Sequence, residues 1–186
     1  MHTVQFLKGI IGSNDVLELP QPHIAFVGRS NAGKSSTINA LLDTSIAKVS
    51  GTPGRTKEIN LFLVGEKKII ADLPGFGFAQ TSVKVAEKLR GYILWYLTSP
   101  EVKLSQLVLI LDGSVGLTPF DRELIEIAYE EELPLIVVHN KMDKLNQSET
   151  VKAERVFKQE FPKQEFFMIA AKKGNGIEKL RTRLGL

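Results

Sequence analysis

Cysteine is absent from the 186 residues, which excludes disulfides, thiolate metal ligands and a thiol nucleophile. No uninterrupted apolar run approaches the ~18 residues a membrane helix needs. The N-terminal stretch MHTVQFLKGIIGSNDV lacks the basic start, apolar centre and small-residue cleavage site of an export signal. A cytoplasmic location with no membrane partner is therefore expected. Charge of one sign is also scarce: the net charge is +3 and the sequence pI about 9.0, compatible with an RNA partner but too small to argue for one. Internal repeats and low-complexity segments are missing as well.

What is present is an ordinary globular composition, 43% hydrophobic, at a length that suits one compact domain. Such a chain buries roughly 70% of its unfolded surface and needs no metal or disulfide to hold it. Strand-like and helix-like patterns alternate from Ile24 onward. The apolar runs HIAFVG (His23 to Gly28), QLVLILD (Gln106 to Asp112) and LPLIVVHN (Leu133 to Asn140) read as parallel strands covered on both faces. Glu58 to Val64 and Lys67 to Leu73 flank Gly65-Glu66 as a hairpin, and Glu165 to Ala170 reads as a last strand.

Helices are expected over Lys34 to Leu42, Val83 to Leu97 and Asn175 to Leu184. Two more are expected, one opened by Thr118-Pro119 and one capped by Ser148 that runs to Glu160. The fold class implied is a three-layer α/β domain, a mostly parallel mixed sheet with helices on both faces. It would span residues 23–186, behind a 1–22 extension that is either an extra strand or irregular.

Three motifs then fall in order at the ends of strands. Gly28-Arg29-Ser30-Asn31-Ala32-Gly33-Lys34-Ser35 fits G-x-x-x-x-G-K-[ST] between a predicted strand and a predicted helix. In such a loop the backbone N–H groups and the helix N-terminus face phosphate oxygens. Lys34 reaches the terminal phosphates and the Ser35 hydroxyl is placed for Mg2+. Alone, the loop does not separate ATP from GTP.

Asp72-Leu73-Pro74-Gly75 follows an apolar strand. There Asp72 would meet the magnesium, directly or through water, and the Gly75 N–H the γ-phosphate. Asn140-Lys141-Met142-Asp143 ends another strand. The Asp143 carboxylate can accept from guanine N1–H and from the exocyclic amine, which adenine lacks, and such pairing rejects the wrong base by roughly 10⁴-fold. Asn140 would steady the loop and the Lys141 stem would pack over the purine. The three motifs together point to a guanine nucleotide.

The stretches GRSNAGKSS (Gly28 to Ser36), GTPGRT (Gly51 to Thr56) and DLPGFGFA (Asp72 to Ala79) resemble the EngB (YihA/YsxC) family of bacterial ribosome-assembly GTPases, within the translation-factor-related P-loop GTPases. The resemblance spans nearly the whole chain. It implies a P-loop GTPase domain that hydrolyses GTP to GDP with Mg2+ and acts as a switch in assembly of the large ribosomal subunit. It also implies a requirement for normal cell division and septation. The partner expected is the large subunit or its rRNA, and the protein itself is expected to be a monomer. A nucleotide-gated binding module for a non-ribosomal division or tRNA-modification partner is the alternative.

The resemblance makes Thr56 the switch threonine that binds magnesium, with Gly54, Arg55, Thr56, Lys57 and Glu58 as the first switch and Pro74 to Ser82 as the second. Lys34, Thr56 and Gly75 become the candidate catalytic residues. Ser36 joins the phosphate loop. Ala170-Ala171-Lys172 stands where the family carries a Ser-Ala-Lys-like motif, so that the Ala171 N–H would meet guanine O6 without a serine hydroxyl to brace the loop. Phe76 replaces the glutamine that many GTPases use to orient water, implying slow intrinsic hydrolysis. Asn31 resembles the asparagine that holds K+ in potassium-stimulated relatives, or else it braces the loop; potassium stimulation that survives in Asn31→Ala would remove the cation role.

His139, at a strand end, is expected in the core, and so are Tyr92, Trp95 and Tyr96 on the helix after the second switch. Lys84, Lys88, Arg90, Lys172, Lys173, Lys179, Arg181 and Arg183 are expected to form solvated charged faces, with rRNA contact as the other possibility.

Overall fold

A computed structural model describes residues 3–47, 58–77 and 83–186. Gly54, Arg55, Thr56 and Lys57 of the first switch, and residues 78–82 of the second, lie outside the described residues.

The chain runs β1 (Val4–Ile10), β2 (His23–Gly28), α1 (Lys34–Leu42), β3 (Ile59–Val64), β4 (Lys68–Asp72), α2 (Val83–Thr98), β5 (Leu104–Asp112), α3 (Pro119–Glu130), β6 (Leu135–Asn140), α4 (Gln147–Glu160), β7 (Phe166–Met168) and α5 (Ile177–Leu184). Among the described residues seven strands form one sheet in the order β1-β3-β4-β2-β5-β6-β7. β4, β2, β5, β6 and β7 pair in parallel, while β3 runs antiparallel to both neighbours.

The 1–22 lead-in supplies β1, whose register from Val4↔Val64 to Ile10↔Ile59 closes the edge beside β3. Gly65 and Glu66 turn the β3–β4 hairpin with φ of 54° and 57°, the left-handed pair a tight type I′ turn requires.

The apolar runs are continuous because both sheet faces are covered. On β2, Ala25 and Val27 pack with Ile93, Tyr96, Leu124 and Phe157 on one side. Ile24 and Phe26 pack with Ile38, Leu41, Leu180 and Leu184 on the other. One layer is thus α2, α3 and α4, the other α1 and α5.

Thr118 caps α3 through a reciprocal box with Asp121. α4 is capped by Asn146 and not by the expected Ser148. The Asn146 side chain accepts from the Glu149 N–H at 3.0 Å and Glu149 returns to the Asn146 N–H at 2.9 Å. Only Asn146 has an acid three residues on to close the box. The last strand and helix are shorter than their sequence patterns. After Met168 the chain folds Ala170 N–H onto Asn175 O at 3.0 Å. Gly174 and Gly176, at φ of 76° and 77°, then delay α5 to Ile177.

Two histidines lie in the core. Tyr96 Oη and His23 Nδ1 share a 2.6 Å hydrogen bond, and the ring of His139 stands edge-on to Phe157 at 4.8 Å. Burial, aided for His23 by the charge of Lys103, lowers both imidazoles to about 4. Neutral imidazole is thus the folded form. The unfolded chain takes up these protons near pH 6.5, so their contribution to stability is complete above that pH and is lost as pH falls toward 4. The slope expected is about 1.4 kcal/mol per pH unit for each histidine. Denaturant unfolding at pH 7 and pH 5 measures it, and His139→Leu should remove about half of the difference. An unfolding free energy that does not change between pH 7 and pH 5 would contradict the buried neutral pair.

Candidate functional site

The site gathers at the carboxyl ends of β2, β4, β5 and β6, where an open α/β sheet places its ligands. β2 ends at Gly28 and the loop to α1 follows. Asn31 and Gly33 take left-handed backbone, with φ of 65° and 97°, and Ala32 N–H closes on Arg29 O at 3.0 Å. Gly33 caps α1 without a side chain, which leaves the first amides of the helix for an anion. Lys34, Ser35 and Ser36 open the helix. Thr37, buried beneath them, donates its hydroxyl to Gly33 O at 3.0 Å.

Asp72 ends β4 beside β2, and its carboxylate is ion-paired with Lys34 Nζ in a mostly buried contact. The chain then crosses the phosphate loop. Leu73 N–H donates to Phe26 O at 3.0 Å, and Ser30 N–H to Phe76 O at 2.9 Å. Gly75 lies against Ser30 so closely that a Cβ there would sit 2.8 Å from the Ser30 hydroxyl. Phe76 turns inward, edge-on to Phe120 at 4.3 Å. No side-chain amide stands at this position to orient a water.

Asn140 ends β6 and joins three segments. Its Nδ2 donates to Ala32 O at 2.9 Å, and its Oδ1 accepts the Ala171 N–H at 3.1 Å. The Ala171 N–H expected to meet guanine O6 is thus bonded to Asn140 in this structure. A side-chain amide only 3% exposed must satisfy both its ends, and this N–H lies within reach.

Met142 N–H donates to Ile169 O at 3.1 Å, which seats the short helical turn carrying Asp143. The Asp143 carboxylate is 3.8 Å from Lys173 Nζ. Lys141 sends its ammonium to Asn31 O and, at 2.6 Å, to Asp112. Phosphate loop, D-x-x-G segment, base motif and Ala170-Ala171-Lys172 therefore meet in one cleft. Glu58, expected among the nucleotide-binding residues, instead sets its carboxylate against Gly9 of β1, so close that a Cβ on Gly9 would lie 2.4 Å from it.

Asp112 was not among the residues singled out from the sequence. Its signal was a carboxylate at the carboxyl end of a central parallel strand, directly followed by glycine. Of the basic residues, Arg90 pairs with Glu123, and Arg183 with Glu165 at 2.8 Å. Arg181 pairs with Glu178 at 2.6 Å and also donates to the carbonyls of Leu41 and Ala40 at 2.9 Å each. These arginines brace the domain's own surface.

The donor chemistry fits a magnesium ion: the Ser35 hydroxyl and the Asp72 carboxylate are hard oxygen donors. Mg2+ beside a nucleotide takes few protein ligands and fills its shell with phosphate and water.

Comparison with known proteins agrees with this geometry. Residues 23–141 match the family model described as 50S ribosome-binding GTPase, and residues 102–184 match the elongation factor Tu GTP-binding domain. The chain is 38% identical over 176 residues to the "Probable GTP-binding protein EngB" of Metamycoplasma arthritidis, covering 95% of this chain and 96% of that one. It is 36% identical to the namesake from Aquifex aeolicus, over 88% of this chain and 89% of the relative. A solved structure titled as a probable GTP-binding protein engB superposes with a TM-score of 0.74 at 28% identity, over 88% of this chain and 96% of that one. Era, crystallised with MgGDPNP and nucleotides 1506–1542 of 16S ribosomal RNA, superposes with a TM-score of 0.71 at 24% identity, over 88% of this chain and 55% of that one, a likeness of fold alone. With a cleft assembled from these motifs and relatives matched over nearly its whole length, the chain belongs to the EngB family of P-loop GTPases.

Proposed function

We propose that the chain binds GTP in this cleft, hydrolyses it slowly to GDP with Mg2+, and uses the two states as a switch in assembly of the large ribosomal subunit in the cytoplasm. Defects in cell division and septation would follow from failed assembly. The observation that carries the nucleotide part is Asn140, whose amide ties the phosphate loop at Ala32 to the base loop at Ala171.

In this reading Gly28 to Ser36 wrap the phosphates and Asp143 reads the guanine edge. Lys34 leaves Asp72 for the terminal phosphates, which frees the carboxylate for the metal. Ser35 and Thr56 would hold the magnesium, with Asp72 reaching it directly or through a water, and the ion would draw charge from the phosphate oxygens. Thr56 and the Gly75 N–H close on the γ-phosphate. With Phe76 packed inward, water is oriented by backbone, by a cation at the exposed Asn31, or by the partner. The ribosomal part is supported by the description of the matching family.

Co-sedimentation with purified large and small ribosomal subunits tests it, comparing GDP with a non-hydrolysable GTP analogue. Selective binding to the large subunit with the analogue is expected. Binding in neither state would leave the GTPase assignment standing and move the partner outside the ribosome.

A further inference from the structure

Asp112 occupies the end of β5, outside every motif so far assigned a ligand. One carboxylate oxygen lies 2.6 Å from Lys141 Nζ. The other accepts the Ser114 N–H at 3.1 Å and the Ser114 hydroxyl at 2.6 Å. The next residue, Gly113, donates its N–H to Asn140 O at 2.8 Å, so the 112–114 turn is built directly against the base motif. Burial alone would raise the Asp112 carboxyl, but the hydrogen bonds from Lys141 and Ser114 outweigh it and hold the group below its ordinary value. The carboxylate is charged at neutral pH.

Lys141 leaves a left-handed backbone at φ 64° and its ammonium also reaches Asn31 O in the phosphate loop. A lysine stem has four rotatable carbons and substantial freedom when only its backbone is held. Here the head is held at two points, and the stem is drawn across the gap between the base turn and the phosphate loop. The ion pair is mostly shielded, with side-chain exposures of 23% for Lys141 and 14% for Asp112. Solvent and salt therefore weaken it less than a surface pair.

We propose that Asp112 is a positioning residue for guanine-nucleotide binding: it holds the Lys141 ammonium against Asn31 O and so sets the lysine stem as the floor under the purine. Ser114 keeps the carboxylate turned toward Lys141. This rests on the family's nucleotide binding and is independent of the ribosomal role.

The test is a double-mutant cycle read with fluorescently labelled GDP, measuring affinity and dissociation rate for wild type, Asp112→Asn, Lys141→Met and the pair. Lys141→Met keeps the stem and removes only the anchored head. Asp112→Asn is expected to speed GDP release about tenfold, the equivalent of about 1.4 kcal/mol. In the Lys141→Met background the same change should have almost no further effect, because the two residues act as one unit. Ser114→Ala should fall between wild type and Asp112→Asn. Additive effects would overturn the proposal, since a merely structural aspartate costs the same in either background. Unchanged release from Asp112→Asn would overturn it too. Wild-type protein that fails to bind labelled GDP would overturn both this role and the nucleotide reading beneath it.

Discussion

Asp143→Asn is expected to lower affinity for GDP by two orders of magnitude or more while raising affinity for xanthosine diphosphate. The carboxylate offers two acceptors to two donors on the guanine edge, N1–H and the C2 amine. An asparagine amide offers one acceptor and one donor, which matches xanthine, whose C2 oxygen accepts. Sites built on such pairing discriminate by roughly 10⁴-fold because the wrong partner leaves a polar group unpaired. The substitution is nearly isosteric. The turn that carries it is held by main-chain bonds, Met142 N–H to Ile169 O at 3.1 Å and Lys144 N–H to Lys141 O at 3.0 Å. Among the described residues Asp143 itself contributes only a long, partly exposed contact to Lys173 at 3.8 Å, so the fold should be untouched. Competition of labelled GDP by GDP and XDP measures the effect. GDP affinity equal to wild type would remove Asp143 from the base site.

Gly33→Ala is the second large effect, and it comes from packing. The residue sits at φ 97°, where a side chain costs about 1–2 kcal/mol. An added Cβ would also lie 2.1 Å from Asn140 Nδ2 and 3.4 Å from its Cγ. That amide is the bridge between Ala32 and Ala171, so the methyl group must break the joint between phosphate loop and base loop to find room. A loss of about 100-fold in GDP affinity is expected, equivalent to about 2.7 kcal/mol, with a fall of several degrees in melting temperature. Gly116→Ala is the control. Its φ is 80° and nothing lies within 4 Å of the added carbon, so it carries backbone strain without the collision. If Gly33→Ala bound GDP as Gly116→Ala does, the close approach of Asn140 would have no functional weight.

Much of this molecule was readable from contiguous residues, and the elements show why. The run HIAFVG announced a strand covered on both faces, and Thr118-Pro119 a helix start, because each depends on chemistry within a few positions. Gly65-Glu66 marked the hairpin for the same reason. For α4 the sequence offers both Asn146 and Ser148 as caps; two hydroxyl or amide caps within three residues compete, and the returning Glu149 carboxylate decides for Asn146. The lead-in was ambiguous from sequence because an edge strand is defined by its partner, and β1 finds β3 some fifty residues away.

The sequence by itself determined the ligand class, since a phosphate loop, a D-x-x-G segment and an N-K-x-D turn each fold from adjacent residues and need only appear in order. It also determined the α/β layering, through apolar runs that only a doubly covered sheet can bury. Tertiary structure alone decided which of those pieces touch. Setting β2 beside β5 and β5 beside β6 brings Asn31, Asp112 and Lys141 together, and it gives both ends of the Asn140 amide a partner. Those contacts join residues from about 30 to 110 positions apart. Strand order, which no local pattern specifies, makes them neighbours.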